Sequence, residues 1–206
     1  IGVMCTIGPG LIVGLLDAFR MHHPMVSIVL HDVTPDGIPE LLLSGALDAV
    51  FHARRGLPHS QLRNIRLFEE EMVIVFARGH VFSEMKRVSF TEIGKHCYVD
   101  RIHCEFREEF FHRFLEEQIA LNVIFRCARE DWIQRLVRDD QGVSLMPRYT
   151  ILSADVDQRP VDPPLYRTVQ LAVPDHSEIK PALAAFLNEA VVHDWPSDRH
   201  GTTDAD

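Results

Sequence analysis

The chain has 206 residues, of which 46% are hydrophobic and 25% charged, as in an ordinary globular protein with one large domain or two lobes. Its formal net charge of -9 argues against broad nucleic-acid binding by this segment, because neutralising phosphates requires a basic face. No apolar run approaches the ~20 residues that cross a bilayer, so no membrane contact is expected. The 4 cysteines lie far apart without a CxxC pair, which argues against a zinc site or disulfide scaffold and favours a cytoplasmic location.

The first quarter of the chain alternates between strand-like and helix-like patterns. The segment "GPGLIVGLLDAFRMHH" repeats apolar residues at helical spacing after a Gly-Pro start, and Gly45 ends the next helical pattern. This alternation is typical of a parallel sheet covered by helices. We predict strands at 1–6, 26–33 and 47–53, and helices at 8–23 and 36–45.

The same alternation of strand-like and helix-like segments continues to the end of the chain, so two α/β lobes of similar size are predicted. No repeat period appears, which excludes a solenoid. The final segment, 196–206, is polar without an apolar period and is predicted to be a disordered tail. Strands are predicted at 71–79, 97–102, 122–128, 142–148 and 166–174, and helices at 89–96, 104–118, 130–140 and 179–195.

Polar residues follow several of the predicted strands. Sheets of this kind bind ligands beyond the carboxyl ends of their strands, and free N–H groups at helix N-termini attract anions. Thr6 follows the first strand, Thr34 the second and Arg54 the third, and these ends can converge on one cleft. Alternatively, Thr6 and Thr34 serve only as helix caps.

The order of three segments resembles the effector-binding domain of LysR-type transcriptional regulators. These are "IGVMCTIGPGLIVGLLDAFRMHHPMVSIVLHDV", then "LLLSGALDAVF", then "EDWIQRLVRDDQGVSLMP". The resemblance extends from Ile1 to about Trp195. It implies an α/β fold of two Rossmann-like lobes with two hinge crossovers, as in type II periplasmic binding proteins. Lobe I would comprise 1–71 plus 174–195, and lobe II 72–173.

The resemblance also implies a function and partners. The chain begins directly inside a strand-like run, so we expect the family's N-terminal helix-turn-helix domain, its only DNA contact, to be absent from this sequence. A small-molecule effector would bind in the interlobe cleft, with no catalytic residue and no cofactor. Two chains would pair antiparallel through the first helix and the Phe-rich helix, with a homotetramer at full length. The expected effector-binding residues are Thr6, Ile7, Gly8, Thr34, Arg54, Arg101, His103 and Arg167.

A narrower resemblance concerns the peroxide-sensing, OxyR-type members of this family. Those members carry a resolving cysteine a few residues beyond the His-Cys pair, whereas this chain has "EFREEFFHRF" there. The alternative effector is therefore an oxidant, sensed without a local partner cysteine. The residues that match by type are Thr6, Thr34, His103, Cys104 and Arg167.

The proposed chemistry of Cys104 depends on its thiolate form. A cysteine at a helix N-terminus beside a histidine has a lowered pKa, so we hypothesise that Cys104 is the most acidic of the thiols. Glu105 and its neighbouring glutamates oppose the thiolate. Cys127 is the expected distant partner, and the alternative is that Cys104 is simply a packed residue.

Two further function classes fit the sequence less well. A periplasmic solute-binding protein would have similar lobes but seldom four unpaired cysteines. A cysteine-dependent enzyme is disfavoured because no G-x-S-x-G, P-loop or HExxH pattern is present. The 12 histidines lack metal-ligand spacing, so no metal site is expected.

Several side chains are given structural interpretations. The apolar stripe in the Phe-rich helix is predicted to be core, with room for a subunit contact. The run Glu69 to Glu71 is predicted to be solvated surface, and both tryptophans, Trp132 and Trp195, are predicted to be packed. The stripe consists of Phe106, Phe110, Phe111, Phe114 and Leu115.

Overall fold

The computed structural model describes residues 1–54, 60–175 and 179–196. The chain divides into two compact units: unit 1 is Ile1–Glu70 with Arg167–Asp206, and unit 2 is Glu71–Tyr166. The predicted return of the chain to the first lobe is at residue 174, whereas the chain returns to unit 1 at Arg167. Apart from residue 196, the predicted tail lies outside the described residues.

Unit 1 contains a mixed sheet. Strand β1 (Gly2–Met4) pairs in parallel with β2 (His31–Val33) and with β3 (Val50–His52). Strand β10 (Tyr166–Pro174) runs antiparallel to β3, and β4 (Leu62–Ala77) is its other neighbour in the sheet. The parallel arrangement expected for the first three strands is confirmed. The sheet becomes mixed because β10 carries the chain back into unit 1 in the opposite direction.

The described residues of unit 1 form three α-helices: α1 (Pro9–His22), α2 (Ile38–Leu43) and α6 (Pro181–Val192). A short 3-10 helix, Pro35–Gly37, precedes α2. Gly45 follows α2 with φ +73°, a left-handed conformation that favours glycine and ends the helix as predicted.

Helices α1 and α6 pack against each other through apolar and aromatic side chains. Helix α1 buries Ile12, Leu15 and Phe19, the residues that its helical spacing places on one face. The Phe19 ring meets the Phe186 ring edge-on at 5.3 Å. The predicted packing role of Trp195 is confirmed, because its ring stacks on Phe68 at 5.1 Å.

Unit 2 contains the second half of β4 and five further strands. β4 pairs antiparallel with β8 (Ser144–Pro147) and with β9 (Val156–Asp162), and β5 (Val88–Ser89) runs parallel to β9. A separate pair is formed by β6 (Cys97–Arg101) and β7 (Asn122–Cys127), which are parallel. Strand β9 was not predicted from the sequence, because its proline and charged residues obscure the strand pattern.

The helices of unit 2 are α3 (Phe90–Ile93), α4 (Arg107–Glu116) and α5 (Glu130–Arg138), with 3-10 helices at Val81–Glu84 and Arg148–Thr150. Helix α4 starts later than predicted, since its N-cap is Phe106 and the prediction began at Cys104. Two successive turns precede it. The Cys104 N–H donates to the Arg101 carbonyl at 3.1 Å, and the Arg107 N–H donates to the Cys104 carbonyl at 3.1 Å.

Two apolar clusters form the core of unit 2, and β4 contributes to both. Met72, Ile74 and Phe76 belong to the cluster on the α4 side, whereas Val73 and Val75 belong to the cluster with α5. Since successive strand residues point to opposite faces, the two clusters lie on opposite faces of the sheet.

The predicted core role of the Phe-rich stripe is confirmed for its central members. Phe106, Phe110 and Phe114 are buried in the cluster on the α4 side, and Phe111 is partly buried against it. Leu115 is different, because 76% of its side chain is exposed. The apolar stripe therefore extends beyond the part of α4 that the core buries.

The prediction that Trp132 is packed is wrong, since 59% of its side chain is exposed. Helix α5 buries Ile133 and Val137 instead, and Trp132 lies outside this buried face.

Candidate functional site

Thr34 follows strand β2 and Arg54 lies two residues beyond β3, and both of these strands pair with β1. Thr34 is exposed at the start of the 3-10 helix, and Arg54 is half-buried. The Arg54 guanidinium donates to the Pro35 carbonyl at 2.8 Å and lies 3.4 Å from the Asp36 carboxylate. Arg54 therefore ties the segment after β3 to the segment after β2, next to Thr34 in sequence.

A buried histidine fixes the backbone in front of Arg54. His52 Nδ1 accepts a hydrogen bond from the Arg54 N–H at 3.2 Å, and His52 Nε2 lies 2.9 Å from Asn64 Oδ1. Since Nδ1 accepts, the proton must be on Nε2, which donates to Asn64. Burial lowers the pKa of His52, so the ring is neutral at pH 7.

Thr6 and Arg167 are brought together, but in a buried network. The Arg167 guanidinium donates to Thr6 Oγ1 at 3.1 Å and to the Thr6 carbonyl at 2.9 Å. It also donates to Glu70 Oε2 through Nε at 2.8 Å, and both side chains of this ion pair are 0% exposed. Arg167 therefore holds the end of β1 against β4 and β10.

Ile7 and Gly8 complete the turn between β1 and α1. The Ile7 N–H donates to the Met4 carbonyl at 2.8 Å, and the Ile7 side chain lies in the core. Gly8 is the N-cap of α1, and its carbonyl accepts from the Leu11 N–H at 3.2 Å. Both residues shape the backbone next to Thr6.

The prediction that Glu69 to Glu71 form solvated surface is wrong. Glu70 and Glu71 are buried, and each is paired with arginine. Glu71 Oε1 accepts from Arg87 at 3.2 Å, and Glu71 Oε2 accepts from Arg148 at 2.5 Å. A run of glutamates in the sequence suggests an exposed surface. The sequence does not show their burial, because the arginines that neutralise these carboxylates come from distant segments.

In unit 2, Arg101 is buried and already neutralised. Its guanidinium donates to the Glu130 carboxylate at 2.6 to 3.0 Å and to the Leu145 carbonyl at 3.1 Å. This bidentate pair joins the end of β6 to the start of α5. His103, half-buried, lies in the turn that follows Arg101.

The thiol of Cys104 does not have the predicted acidity. The side chain packs against the cluster on the α4 side, ahead of the helix that was expected to lower its pKa. Burial raises the pKa of the Cys104 thiol to about 11, although the Arg101 guanidinium lowers it, and the Glu105 carboxylate raises it again. The thiol is therefore protonated at pH 7.

The Cys127 backbone is bonded to the turn that leads to Cys104, but the two side chains pack against different core clusters. The Cys127 carbonyl accepts from the Ile102 N–H at 3.0 Å. Its side chain belongs to the cluster with α5, whereas Cys104 packs in the opposite cluster. Since a disulfide requires converging Cβ vectors, a direct bond needs the backbone to rearrange.

Metal and membrane signatures are absent from the part of the chain that the structure describes. Within it, no three His, Cys, Asp or Glu side chains group where they could hold a metal ion. No helix among these residues is long and apolar enough to cross a membrane.

Comparison with known proteins adds to this geometry. Residues 1–193 match the LysR substrate binding domain. The chain belongs to this family. The LysR domain is 22% identical over 196 residues to the uncharacterized HTH-type transcriptional regulator YvbU of Bacillus subtilis, covering 92% of this chain and 65% of YvbU. It is also 22% identical over 144 residues to the HTH-type transcriptional regulator CysB of Haemophilus influenzae, covering 69% of this chain and 45% of CysB. It therefore spans less than two-thirds of either relative.

Solved structures show the same fold. The effector-binding domain of QuiR in complex with shikimate aligns with a TM-score of 0.79 at 20% identity, covering 92% of this chain and 93% of that one. The Synechocystis CcmR regulatory domain in complex with 2-PG aligns with a TM-score of 0.80 at 16% identity, with the same coverage of both chains. A reduced form of OxyR from N. meningitidis aligns with a TM-score of 0.77 at 19% identity, covering 93% of both chains. The predicted family and the type II periplasmic-binding-protein-like α/β fold are confirmed.

Glu70→Gln should destabilise the LysR domain by about 3–5 kcal/mol, because it leaves the buried Arg167 charge without its counter-ion. Urea unfolding measures the change. Asp48→Asn is the matched control in unit 1, since Asp48 pairs with Lys180 at the surface and should cost less than about 1 kcal/mol. Equal costs for the two variants would show that burial of the Glu70 pair is unimportant.

Cys104 should react slowly with iodoacetamide at pH 7, and Cys97 should react faster because it is exposed. Mass spectrometry of the labelled peptides measures both rates. Raising the pH from 7 to 9 should accelerate Cys104 about a hundredfold, because the thiolate fraction rises tenfold per pH unit below the pKa. Cys97→Ser should leave the Cys104 rate unchanged. If Cys104 reacts first at pH 7, its thiol is activated after all.

Proposed function

We propose that the chain is the effector-sensing domain of a LysR-type, DNA-binding transcriptional regulator. The match over residues 1–193 supports this, as do the two curated relatives, both HTH-type transcriptional regulators that are longer than the matched segment. DNA would be bound by a helix-turn-helix domain outside this sequence, which agrees with the acidic net charge of -9. The regulator needs no catalytic residue and no cofactor for this role.

The effector is proposed to be a small organic anion that contacts Thr34 and Arg54 of unit 1. One observation carries this proposal: the half-buried Arg54 guanidinium is bonded to the carbonyl of Pro35, the residue after exposed Thr34. Thr34 and Arg54 both lie beyond the carboxyl ends of parallel strands. Thr6 and Arg167 form the buried support of the same edge. The neighbours with bound shikimate and 2-PG support a small-molecule ligand.

Two alternatives have less support. Oxidant sensing through Cys104 is opposed by the raised pKa of its thiol and by the separation of Cys104 and Cys127 into different core clusters. The periplasmic solute-binding alternative is opposed by the family match and by the curated relatives, which are regulators.

A panel of small organic acids, including shikimate, should contain a compound that raises the melting temperature of the domain. At a hundred times its dissociation constant the ligand contributes about 2.7 kcal/mol, or about 5–10 °C for a chain of this size. Thr34→Ala and Arg54→Gln should each reduce the shift. Arg63→Gln, which removes an exposed charge elsewhere in unit 1, should not.

Calorimetric titration then gives the affinities. Arg54→Gln should weaken binding about tenfold, the cost of losing a charge-assisted hydrogen bond. If the ligand binds both arginine variants equally, the effector site lies elsewhere, whereas failure of every acid would contradict an anionic effector.

Self-association is proposed as well. Two chains would form an antiparallel homodimer through α1 and α4, and the full-length regulator a homotetramer. Both helices carry exposed apolar side chains, since Val13 and Met21 on α1 are 50% and 81% exposed and Leu115 on α4 is 76% exposed. Apolar side chains of this size are typical of protein interfaces when they lie together.

Sedimentation at micromolar concentration should therefore show a dimer. Leu115→Glu should weaken it by at least about tenfold, because burying a carboxylate in an apolar contact is unfavourable. Leu43→Glu on α2, where the leucine is 42% exposed, is the control and should leave the dimer intact. A monomer for the unmodified chain would contradict the proposal.

A further inference from the structure

Two histidines are hydrogen-bonded to each other in unit 2. His80 follows the end of β4, and His96 follows the end of α3. His80 Nε2 lies 3.2 Å from His96 Nδ1, and both side chains are half-buried. Since histidine is the side chain whose ordinary pKa lies nearest to neutral pH, a histidine pair joined by one proton is a candidate pH sensor.

The backbone of a 3-10 helix sets the proton positions in this pair. His80 is the N-cap of the helix Val81–Glu84, and its Nδ1 accepts a hydrogen bond from the Phe82 N–H at 3.2 Å. Because Nδ1 accepts, the neutral His80 ring carries its proton on Nε2 and donates it to His96 Nδ1. The acceptor nitrogens of both neutral rings are therefore already used inside the folded chain.

A further proton cannot be added without the loss of one of these hydrogen bonds. A proton that enters His80 goes to Nδ1 and meets the Phe82 N–H, donor against donor. A proton that enters His96 goes to Nδ1 and meets the N–H of His80. If the two rings stay bonded to each other, His80 Nδ1 carries a proton in either arrangement, and the N-cap is lost.

The surroundings of His80 make protonation of the folded chain unfavourable. Burial lowers the pKa of His80, the charge of His96 lowers it further, and the Asp140 carboxylate raises it. The folded chain thus takes up the proton less readily than the opened chain. The N-cap is therefore fully formed above the ordinary histidine pKa of about 6.5, and it is lost as the pH falls below that value.

Charged side chains on the neighbouring segments have partners or lie at the surface. Lys95 donates to the Glu92 carboxylate at 2.5 Å. Arg78 donates to the Ala154 carbonyl, and Glu84 of the 3-10 helix is exposed. These groups leave the balance between burial and the two histidine charges in place.

The N-cap bond joins the histidine pair to the core. Phe82 is 0% exposed in the cluster on the α4 side, and its ring lies edge-on to the His80 and His96 rings at 4.4 and 4.8 Å. Arg159 of β9 holds the other end of the 3-10 helix, because it donates to the carbonyls of Ser83 and Met85 at 2.7 and 2.8 Å. An arginine keeps its charge in acid, so the histidine end is the part that acid releases.

We propose that His80 and His96 form a pH-sensitive switch, which fastens the N-terminal end of the 3-10 helix Val81–Glu84 at neutral pH and releases it when the pair takes up a proton. Release frees the Phe82 N–H and lets Val81, already 51% exposed, move with the turn. The switch uses no residue of the proposed effector site.

Amide hydrogen exchange of the unmodified chain, followed by NMR and divided by the intrinsic rate at each pH, tests the switch. The protection factor of the Phe82 amide should fall about five- to tenfold between pH 7.5 and 5.5, as the uptake of one proton requires. The Glu92 amide is the internal reference. It donates to the Ser89 hydroxyl at the N-cap of α3, also at 3.2 Å, and should keep its protection because a hydroxyl does not titrate.

Three variants separate the parts of the switch. His80→Asn keeps a side-chain acceptor for the N-cap without titration, so Phe82 should be equally protected at both pH values. His96→Gln keeps an acceptor for the His80 N–H but removes the neighbouring charge, so the loss of protection should begin at higher pH. His112→Gln, an exposed histidine of α4, is the control and should change nothing.

Two results would overturn the proposal. One is a Phe82 protection factor that does not change with pH in the unmodified chain. The other is a His80→Asn variant that keeps the full loss of protection in acid, since the titrating group would then lie elsewhere.

Discussion

The burial of the Arg167 guanidinium is the constraint on which the architecture of unit 1 depends. A charged group without contact to water must be neutralised and hydrogen-bonded, so Glu70 and Thr6 are required where they lie. These partners come from β4 and from the end of β1, and Arg167 itself belongs to β10. One guanidinium, through an ion pair and two hydrogen bonds, therefore links three strands that are distant in sequence.

The same principle governs the other arginines that follow strands. Arg101 in unit 2 is held by Glu130, and Glu71 is shared by Arg87 and Arg148. Their charges are compensated within the fold, and so they contribute little cationic field for a ligand. Arg54 is the exception among the candidate effector residues, because its carboxylate partner Asp36 is exposed and 3.4 Å away. This difference is why the effector proposal rests on Arg54 and Thr34.

Cys104 illustrates how local sequence and tertiary packing compete. The adjoining histidine and the nearby helix favour a thiolate, as the sequence indicates. The turn after Arg101 delays the helix by three residues, and the Cys104 side chain packs, partly buried, against the core cluster that contains Phe106. Desolvation then outweighs the attraction of the Arg101 guanidinium, and the thiol stays protonated at pH 7.

The sequence by itself determined the family, the α/β fold and most of the elements, because apolar periodicity and turn residues are local signals. It also identified the buried face of α4 and the polar residues beyond β1, β2 and β3. Only the tertiary structure decided the burial of Glu70 and Glu71, the exposure of Trp132 and the raised pKa of Cys104. Each depends on partners or apolar neighbours that are remote in sequence, and desolvation and pairing are set by the three-dimensional surroundings of a group rather than by its neighbours along the chain.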